Sequence, residues 1–309
     1  MKVLITGIEG FVGKWLAKFL KSNGYEVCGT YFDIKQLSDT NFKLFYCDIR
    51  NYRRLTDILN GVKPEQIYHL AAQSSAKLSF ADPRTTFEVN FLGTLNLLES
   101  LRELHLHSKI LIVSSCEVYG ANASIPIKED SPLCPCSPYA VSKASAELLS
   151  YQYWRVYNME VVRVRPFSHT GPGQPTIFAL PDFANQIVEI ERGIKEPVIH
   201  VGNLKAKRDF MDVRDVVRAY YEIIEKGASG DVYNIATNRP YAIRELLETL
   251  LSFTDIKIEI KEMTNRLRPT DIPVLSGNSS KLKESINWKP KIPIERTLED
   301  LLNFYRERS

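Results

Sequence analysis

Tyr139 and Lys143, four residues apart, are the first candidates for chemistry in this sequence. The run over about 139–157 predicts a helix, and residues four apart lie on one helix face. An ammonium beside a phenol favours the phenolate, so Lys143 should lower the pKa of Tyr139 from ~10 toward neutrality. A tyrosine tuned in this way can exchange a proton with a carbonyl or alcohol while hydride moves at the carbon. The spacing alone also suits a surface helix pair.

Ser115 follows the predicted strand over 109–114 and precedes Cys116 and Glu117. Ligands of parallel sheets bind at the carboxyl ends of the strands. We therefore expect Ser115 to be a second donor to the same substrate oxygen as Tyr139.

Three glycines, Gly7, Gly10 and Gly13, lie between a predicted strand over 2–6 and a predicted helix over 13–23. In such a loop the first glycine permits a tight turn, the second lets a pyrophosphate approach the backbone, and the third lets helix and strand pack closely. The helix N-terminus then offers free N–H groups to the phosphates. The position of the triplet between strand and helix predicts a dinucleotide site, against the alternative of a turn without a ligand.

The end of the second predicted strand, over 26–31, should discriminate NAD from NADP. An acid there suits the ribose 2′-hydroxyl of NAD, whereas a nearby Arg suits the 2′-phosphate of NADP. The reading position is Tyr31 or Phe32, Asp33 lies farther along, and no Arg is present. Lys35 could serve a phosphate. The choice stays open, with NADP slightly favoured.

Asp48 follows a third predicted strand over 44–47. It is placed to accept a hydrogen bond from the adenine amino group. Its alternative role is that of a helix N-cap.

Apolar strands alternate with helical segments through the first half of the chain, which predicts an α/β fold with a doubly wound parallel sheet of the Rossmann type. Further strands are expected over 66–71, 160–165, 198–201 and 232–235, and further helices over 85–104, 181–192, 213–226, 242–253 and 297–306. We assign residues 1–166 and about 212–235 to the dinucleotide-binding domain. A smaller C-terminal α/β substrate lobe takes about 167–211 and 236–309.

Composition excludes several classes of protein. The 309 residues are 44% hydrophobic and 25% charged with a net charge of +3, which argues against disorder and against nucleic acid as a partner. The five cysteines lack Cys-x-x-Cys spacing, which argues against a metal site and against a disulfide framework. We interpret Cys134 and Cys136 as reduced thiols. With neither a signal peptide nor an apolar run of 18 residues, we expect a cytoplasmic protein without a membrane anchor.

Four ordered motifs together resemble the extended short-chain dehydrogenase/reductases, which act on nucleotide sugars. They are the three glycines, His69-Leu-Ala-Ala72, Ser115-x-x-x-Tyr119-Gly120 and Tyr139-x-x-x-Lys143. The resemblance covers essentially the whole chain and implies that Ser115, Tyr139 and Lys143 are catalytic, with Lys143 also holding the nicotinamide ribose. The cofactor-binding residues that we predict are Gly7, Gly10, Phe11, Val12, Gly13, Tyr31, Asp48, Ile49, Leu70, Ala71, Ala72, Asn90, Tyr139 and Lys143.

The same resemblance bears on structure. Asn90 resembles the structural asparagine of the family, and a helix-capping amide is part of its expected role. The helices over about 91–107 and 137–157 would pair across a homodimer.

Several segments are similar to the branch of this family that handles GDP-mannose derivatives, among them Arg165-Pro166-Phe167-Ser168-His169 and Arg208-Asp209-Phe210. The resemblance implies a GDP-sugar substrate whose diphosphate is clamped by Arg208 and Arg268, as suits guanidinium chemistry. The substrate-binding residues that we predict are Gln73, Ser74, Ser168, Asn203, Arg208 and Arg268.

Three reactions fit this branch. One is NAD(P)H-dependent reduction of the C4 ketone of GDP-4-keto-6-deoxy-mannose to GDP-rhamnose, with the proton from Tyr139. The second is 4,6-dehydration of GDP-mannose with Glu117 as the base, and the third is 4-epimerisation of a nucleotide sugar. Cys116 lies where dehydratases usually have Asp or Ser, and a thiol with a pKa of ~8.5 is a poor acid. We therefore favour the reductase; a non-enzymatic dinucleotide-binding protein is the least expected alternative.

Overall fold

The computed structural model describes residues 1–33, 42–121, 124–266 and 272–308. The strands over these ranges are β1 (Lys2–Thr6), β2 (Glu26–Tyr31), β3 (Lys43–Tyr46), β4 (Gln66–His69), β5 (Lys109–Val113), β6 (Val161–Pro166), β7 (Ser168–Thr170), β8 (Val198–Val201), β9 (Lys207–Asp212), β10 (Val232–Ile235), β11 (Pro240–Ala242), β12 (Glu259–Glu262) and β13 (Val274–Leu275).

The helices of the same ranges differ widely in length. They are α1 (Phe11–Ser22), α2 (Tyr52–Val62), α3 (Ala76–Ala81), α4 (Pro83–Phe87), α5 (Gly93–Glu103), α6 (Pro138–Tyr157), α7 (Ala179–Glu191), α8 (Val213–Lys226), α9 (Ile243–Leu251), α10 (Ser280–Ile286) and α11 (Ile294–Glu307).

Seven parallel strands form the central sheet in the order β10-β6-β5-β4-β1-β2-β3. The chain runs outward from β1 to β3, returns to β4 on the other side of β1, and then runs outward again. The strand order therefore reverses between β1 and β4, which opens a crevice at their carboxyl ends. This topology confirms the predicted α/β doubly wound sheet.

Both faces of this sheet are buried, which explains why its central strands are nearly all apolar. Val3 and Ile5 of β1 pack in one core cluster with Leu16 of α1, and that cluster extends to α8. Leu4, on the opposite face, packs with Leu55 of α2 in a second cluster that extends to α5. The alternation along β1 fixes a helix layer on each side.

A smaller α/β unit follows the sheet. In it, β9 pairs with β7, β11 and β13, while β8 pairs with β12. Helices α7, α9 and α11 bury a third core cluster that includes Leu247 and Leu301. This cluster draws only on segments that the sequence assigns to the substrate lobe, although the division into two domains stays a prediction.

The helix predicted over 85–104 is confirmed as one continuous helical segment, but its middle is a π-helical turn instead of an α-helix. The structure has α4, then a π-helical turn over Glu88–Leu92, and then α5. Asp82 begins α4 by accepting a hydrogen bond from Thr85 N at 3.0 Å, with Pro83 at the first helical position. The wider turn points Asn90 inward, where it is 2% exposed. Its contacts are described below.

The structure also shows the state of the cysteines and the length and hydropathy of the helices. All five cysteines are free thiols; Cys28, Cys47 and Cys116 are buried, and Cys134 and Cys136 are exposed. In the described part of the chain, no helix is long and apolar enough to cross a membrane.

Candidate active site

The glycine loop forms a tight cradle at the end of β1. Gly7 has φ of +71°, and its N–H and that of Ile8 both donate to Thr30 O of β2 at 3.0 Å. A Cβ at Gly13 would lie 2.5 Å from Gly7 O, and a Cβ at Gly7 would lie 2.9 Å from Ala71 Cα. Only glycine therefore lets the loop, the helix and the segment after β4 meet this closely.

The start of α1 fits the phosphates of a dinucleotide. Gly10 is the N-cap of α1 and has no side chain that could accept a hydrogen bond. The first N–H groups of α1 are therefore not capped by a side chain and can donate to a phosphate. Phe11 and Val12, the next two predicted cofactor residues, are partly buried in the same first turn. The ring of Phe11 stacks on His169, with centroids 6.3 Å apart, which packs the loop after β6 against the cradle.

Gly13→Ala tests this cradle. The new Cβ would clash with backbone atoms of Gly7 and Ile8, so the loop would have to shift. Overpacking of this kind costs ~1–3 kcal/mol. If that cost falls on the coenzyme-binding conformation, coenzyme affinity should fall by about tenfold or more. The matched control is Gly61→Ala on α2, where a Cβ meets nothing within 4 Å and affinity should not change. Calorimetric titration with NADH measures both, and a Gly13→Ala protein of unchanged Kd would contradict the cradle.

A buried hydrogen-bond chain begins at Thr6, the last residue of β1. The Thr6 hydroxyl oxygen accepts from the N–H groups of Leu70 at 3.2 Å and Ala71 at 3.1 Å, so its proton goes to His69 Nδ1 at 2.8 Å. His69 Nε2 then donates to Thr94 Oγ1 at 3.0 Å. Burial lowers the pKa of His69 to about 3, which keeps the ring neutral in this single tautomer. The chain fixes two predicted cofactor residues, Leu70 and Ala71.

Asn90 continues this chain toward α6. Its carbonyl accepts from the Thr94 hydroxyl at 2.7 Å, and its side-chain oxygen accepts from Gln73 N at 2.8 Å. Asn90 Nδ2 donates to Gln73 O at 3.1 Å and to Ser142 Oγ at 2.9 Å, and Ser142 donates to Tyr139 O at 2.7 Å. The amide therefore joins two segments rather than capping a helix, which corrects that part of its expected role. A direct contact with cofactor stays a prediction.

Asp48 lies beyond β3 in an ion pair. Its carboxylate accepts from Arg50 N at 2.9 Å, from Arg50 Nε at 3.0 Å and from a terminal guanidinium nitrogen at 2.7 Å, which lowers its pKa. The N-cap of α2 is Asn51, which accepts from Arg54 N at 3.0 Å. The N-cap interpretation of Asp48 is therefore wrong, and its contact with adenine stays a prediction, as does that of the buried Ile49.

The start of α6 positions the Tyr–Lys pair. Ser137 caps the helix by accepting from Ala140 N at 3.1 Å, and Pro138 occupies the first helical position. Tyr139 therefore lies in the first turn, and Lys143, 8% exposed, lies one turn later on the same face.

Ser115 and Glu117 come from the short turn after β5. Ser115 Oγ accepts from Glu117 N at 3.2 Å, which begins the 3₁₀ turn Cys116–Tyr119. The Ser115 side chain also lies close enough to Tyr139 to lower the pKa of its phenol. The structure thus brings together Ser115, Tyr139 and Lys143, which the sequence placed in one catalytic group.

The electrostatics of Tyr139 correct one expectation. Burial of the phenol and then the charge of Glu117 raise the pKa of Tyr139, and the Ser115 side chain opposes this rise only in part. Burial lowers the pKa of Lys143 to about 8. The prediction that Lys143 brings the pKa of Tyr139 toward neutrality is therefore wrong, because burial acts in the opposite direction. Tyr139 is held as a phenol that can give a proton.

Cys116 faces the protein core instead of the crevice. It is 5% exposed and packs in the same core cluster as Val118 and Tyr119. Burial first, and then the charge of Glu117, raise the pKa of its thiol, while the charge of Arg208 opposes the rise. Cys116 is therefore a weaker acid than an ordinary thiol. Its interaction with Arg208 also places that predicted substrate residue near the Ser115 turn.

A buried ion pair fixes α6 on the sheet. Glu147, one turn after Lys143 and fully buried, pairs with Arg165 of β6 at 2.6 Å and with Arg163 at 3.7 Å. Arg165 also donates to the Tyr119 hydroxyl at 2.8 Å. Sequence reasoning missed this role of Glu147, although the spacing 139, 143, 147 on one helix face was a signal for it.

The predicted substrate residues fall into different settings. Ser168 and Arg208 lie on neighbouring strands, β7 and β9, and both are partly buried. Ser74 is exposed, and the Asn203 side chain accepts from Lys205 N at 2.9 Å. Arg268 lies outside the described residues.

Gln73 has a structural role that the sequence did not predict. Its side-chain amide donates to Ser75 O and to Thr86 Oγ1, both at 3.0 Å, and accepts from Ser75 N. Both amide hydrogens are thus used, one within the loop after β4 and the other on α4. A contact of this amide with the sugar stays a prediction.

Asp209, next to Arg208, is a second positioning residue missed by the sequence. It is fully buried and accepts from Thr237 N at 2.8 Å, Asn238 N at 3.0 Å and Gly277 N at 3.3 Å. Burial raises its pKa to about 6, and these hydrogen bonds oppose the rise. Asp209 thus ties β9 to two loops of the smaller unit. Within the described ranges, no cluster of His, Cys, Asp or Glu could hold a metal ion.

Comparison with known proteins assigns a family to this site. A family model described as GDP-mannose 4,6 dehydratase matches residues 4–301. The chain belongs to this family. Within the GDP-mannose 4,6 dehydratase family, it is 34% identical to the GDP-6-deoxy-D-mannose reductase of Pseudomonas aeruginosa, over 99% of this chain and 98% of that protein. The predicted resemblance is thereby confirmed.

Solved structures of similar proteins contain dinucleotides. RMD from Pseudomonas aeruginosa, complexed with NADPH, is similar with a TM-score of 0.87 and 33% identity over 100% of this chain and 99% of that one. DesIV, a dTDP-glucose 4,6-dehydratase from Streptomyces venezuelae with NAD bound, is similar with a TM-score of 0.90 and 26% identity, over 99% and 97% of the two chains. Together with the glycine cradle, these complexes confirm the prediction of an NAD(P) coenzyme for this member of the family.

Proposed function

We propose that this protein reduces the C4 ketone of GDP-4-keto-6-deoxy-mannose to GDP-rhamnose with NAD(P)H. The observation that carries the proposal is the phenol of Tyr139, which lies near Ser115 and one helical turn before Lys143, because a ketone reductase needs a proton donor and a cation that stabilises the phenolate left behind. The reductase of Pseudomonas aeruginosa, similar over nearly the whole chain, supports the same reaction.

The side chains divide the work at the ketone. The bound coenzyme supplies hydride to C4. Ser115 and Tyr139 hold the ketone oxygen, and Tyr139 gives its proton to the alkoxide as it forms. Lys143, as an ammonium, stabilises the phenolate that is left, since opposite charges in a buried site attract strongly.

Arg208 binds the diphosphate of the substrate in this proposal. Its position on β9, the strand that pairs with β7 and the predicted substrate residue Ser168, supports this role. Guanidinium groups match phosphate oxygens with paired hydrogen bonds. We keep Ser74, Ser168, Asn203 and Arg268 as proposed substrate contacts.

A 4,6-dehydratase is the second candidate, because Glu117 lies close enough to Tyr139 to raise its pKa and could take the C5 proton. That reaction also needs an acid for the departing hydroxyl. Cys116, the residue between Ser115 and Glu117, is packed in the core with a raised pKa and does not meet that need. The reductase needs no such acid.

The decisive experiment incubates the purified protein with GDP-4-keto-6-deoxy-mannose and NADH or NADPH while absorbance is followed at 340 nm. We expect one equivalent of reduced coenzyme to be consumed for each GDP-rhamnose formed. Glu117→Gln should retain most of this rate, because reduction needs no base at C5. GDP-mannose alone is the control substrate and should not react. Its conversion to a keto-sugar without net change in coenzyme would instead establish the dehydratase.

We also propose that the protein forms a homodimer through the helices at about 91–107 and 137–157. An apolar stripe on α6 supports this pairing, because Val141, Leu148 and Tyr151 are 38%, 58% and 41% exposed and recur at helical spacing. Leu92, 43% exposed, extends the apolar surface toward α5. The cytoplasmic location stays a prediction.

Leu148→Glu tests the dimer. A carboxylate in the centre of the apolar stripe should separate the two copies, so light scattering should give the mass of one 35.3 kDa chain where the unaltered protein gives twice that value. Ile194→Glu, at a site 66% exposed beyond α7, is the control and should leave the dimer intact. A monomeric unaltered protein would contradict the pairing.

A further inference from the structure

Glu9, inside the glycine loop, has one carboxylate oxygen that accepts a hydrogen bond and one that accepts none among the described residues. Its Oε1 accepts from the backbone N–H of Phe32 at 2.8 Å, at the end of β2. Its Oε2 is buried and has no hydrogen-bond partner among the described residues. A buried carboxylate oxygen without a donor is costly, so this atom is set up to receive a donor that the protein does not provide.

The backbone determines where this carboxylate lies. Strands β1 and β2 run parallel, with Thr6 opposite Thr30. Gly7 N and Ile8 N both donate to Thr30 O, so these hydrogen bonds hold the glycine loop at the carboxyl end of β2. In doubly wound sheets, the end of the second strand is where the adenosine ribose is read, usually by an acid on that strand. Glu9 reaches the same place from the glycine loop.

The strand end itself offers rings where that acid would be. Tyr31 and Phe32 contact Tyr46 with ring centroids 5.8 and 6.4 Å apart, and Phe32 is 54% exposed. The faces of these rings can pack against a base or a sugar, but they carry no charged acceptor for a ribose hydroxyl. The carboxylate of Glu9 supplies a charged acceptor at this strand end.

We propose that Glu9 determines the coenzyme, so that this protein prefers NAD(H) to NADP(H). Glu9 Oε2 accepts a hydrogen bond from the adenosine ribose hydroxyls, while Oε1 stays on Phe32 N. The 2′-phosphate of NADP(H), which carries almost two negative charges, would be repelled by this carboxylate. The inference deepens the proposed function in its coenzyme and rests on NAD(P) binding, not on the identity of the sugar. It replaces the slight preference for NADP that the sequence alone suggested.

Lys14, on the next turn of α1, is a cation that interacts electrostatically with Glu9. It makes no hydrogen bond with Glu9 Oε2, which has no partner among the described residues. The cation therefore leaves this oxygen open to a donor from the coenzyme.

The test measures coenzyme binding without any sugar. Calorimetric titration should give a Kd for NADH at least about tenfold lower than for NADPH, since a hydrogen bond to a charged group contributes ~1.5–3 kcal/mol. Glu9→Gln keeps the size of the side chain and removes its charge, so it should cut the preference several-fold, mainly by tightening NADPH. Lys14→Gln is the charge control and should retain or enlarge the preference for NADH. The difference between the coenzymes should also shrink as salt rises.

The outcomes separate this inference from the proposed reaction. Equal or tighter binding of NADPH by the unaltered protein, or an unchanged ratio in Glu9→Gln, would overturn the role of Glu9 and leave the reductase standing. A clear preference for NADH in a protein that does not reduce the keto-sugar would support Glu9 and overturn the reductase. Melting temperatures of both variants, close to that of the unaltered protein, would show that binding changes do not come from unfolding.

Discussion

Replacing Tyr139 with Phe is expected to lower kcat for keto-sugar reduction by about 10³, within the ~10²–10⁴ that positioned acid catalysis contributes. The ring remains and only the hydroxyl is lost, so the fold and the Kd for reduced coenzyme should stay close to those of the unaltered protein. Steady-state rates at 340 nm and calorimetric titration measure the two quantities. The control is Tyr157→Phe at the exposed end of α6, which should leave kcat unchanged. Full activity in Tyr139→Phe would show that the proton comes from elsewhere.

The pH profile extends this prediction. Burial lowers the pKa of Lys143 to about 8 and raises that of Tyr139, so the phenol keeps its proton while Lys143 loses its charge as pH rises through about 8. Since the ammonium stabilises the phenolate formed during reduction, kcat should fall over this interval. A rate that rises above pH 8 would instead indicate that a phenolate begins the reaction.

Glu147→Ala is expected to lower the free energy of unfolding by about 3–5 kcal/mol. The change leaves Arg165 and Arg163 as buried cations without their carboxylate, and breaking a buried pair on one side has a cost of this size. Urea unfolding followed by circular dichroism measures it. Loss of the contact between α6 and β6 should also lower kcat.

The matched control for Glu147 is Glu299→Ala, which breaks an exposed pair with Arg296. The two side chains of that pair are 63% and 45% exposed, so its loss should cost ~0–1 kcal/mol. A change of less than 1 kcal/mol in Glu147→Ala would show that the buried pair contributes no more than a surface pair.

The sequence predicted the central sheet best. The predicted bounds of β1, β2, β8, β10 and α8 agree with the structure residue by residue. Short apolar runs between turn residues mark buried parallel strands strongly, and the glycine triplet fixes the first crossover. The proximity of Tyr139 and Lys143 could be predicted for a related reason, since they are local neighbours on one helix.

Other parts depend on contacts between distant segments. The sequence of β9, Lys-Arg-Asp-Phe-Met-Asp, resembles a charged surface segment, so the strand was not predicted. Its Asp209 is buried in the folded protein because it accepts hydrogen bonds from the N–H groups of residues 237, 238 and 277. The π-helical turn within the predicted 85–104 helix depends likewise on Asn90, whose partners lie 17 and 52 residues away. The pKa of Tyr139 moved opposite to expectation because burial is a property of the folded site.

The hydrogen-bond chain from Thr6 to Ser142 has a consequence for how the enzyme responds to acidity. Its members are hydroxyls, amides, backbone groups and one imidazole, and the pKa of that imidazole is lowered to about 3. Every link thus keeps the same number of protons from about pH 4 upward. The alignment of the coenzyme loop with α6 should therefore not change as Lys143 titrates near pH 8.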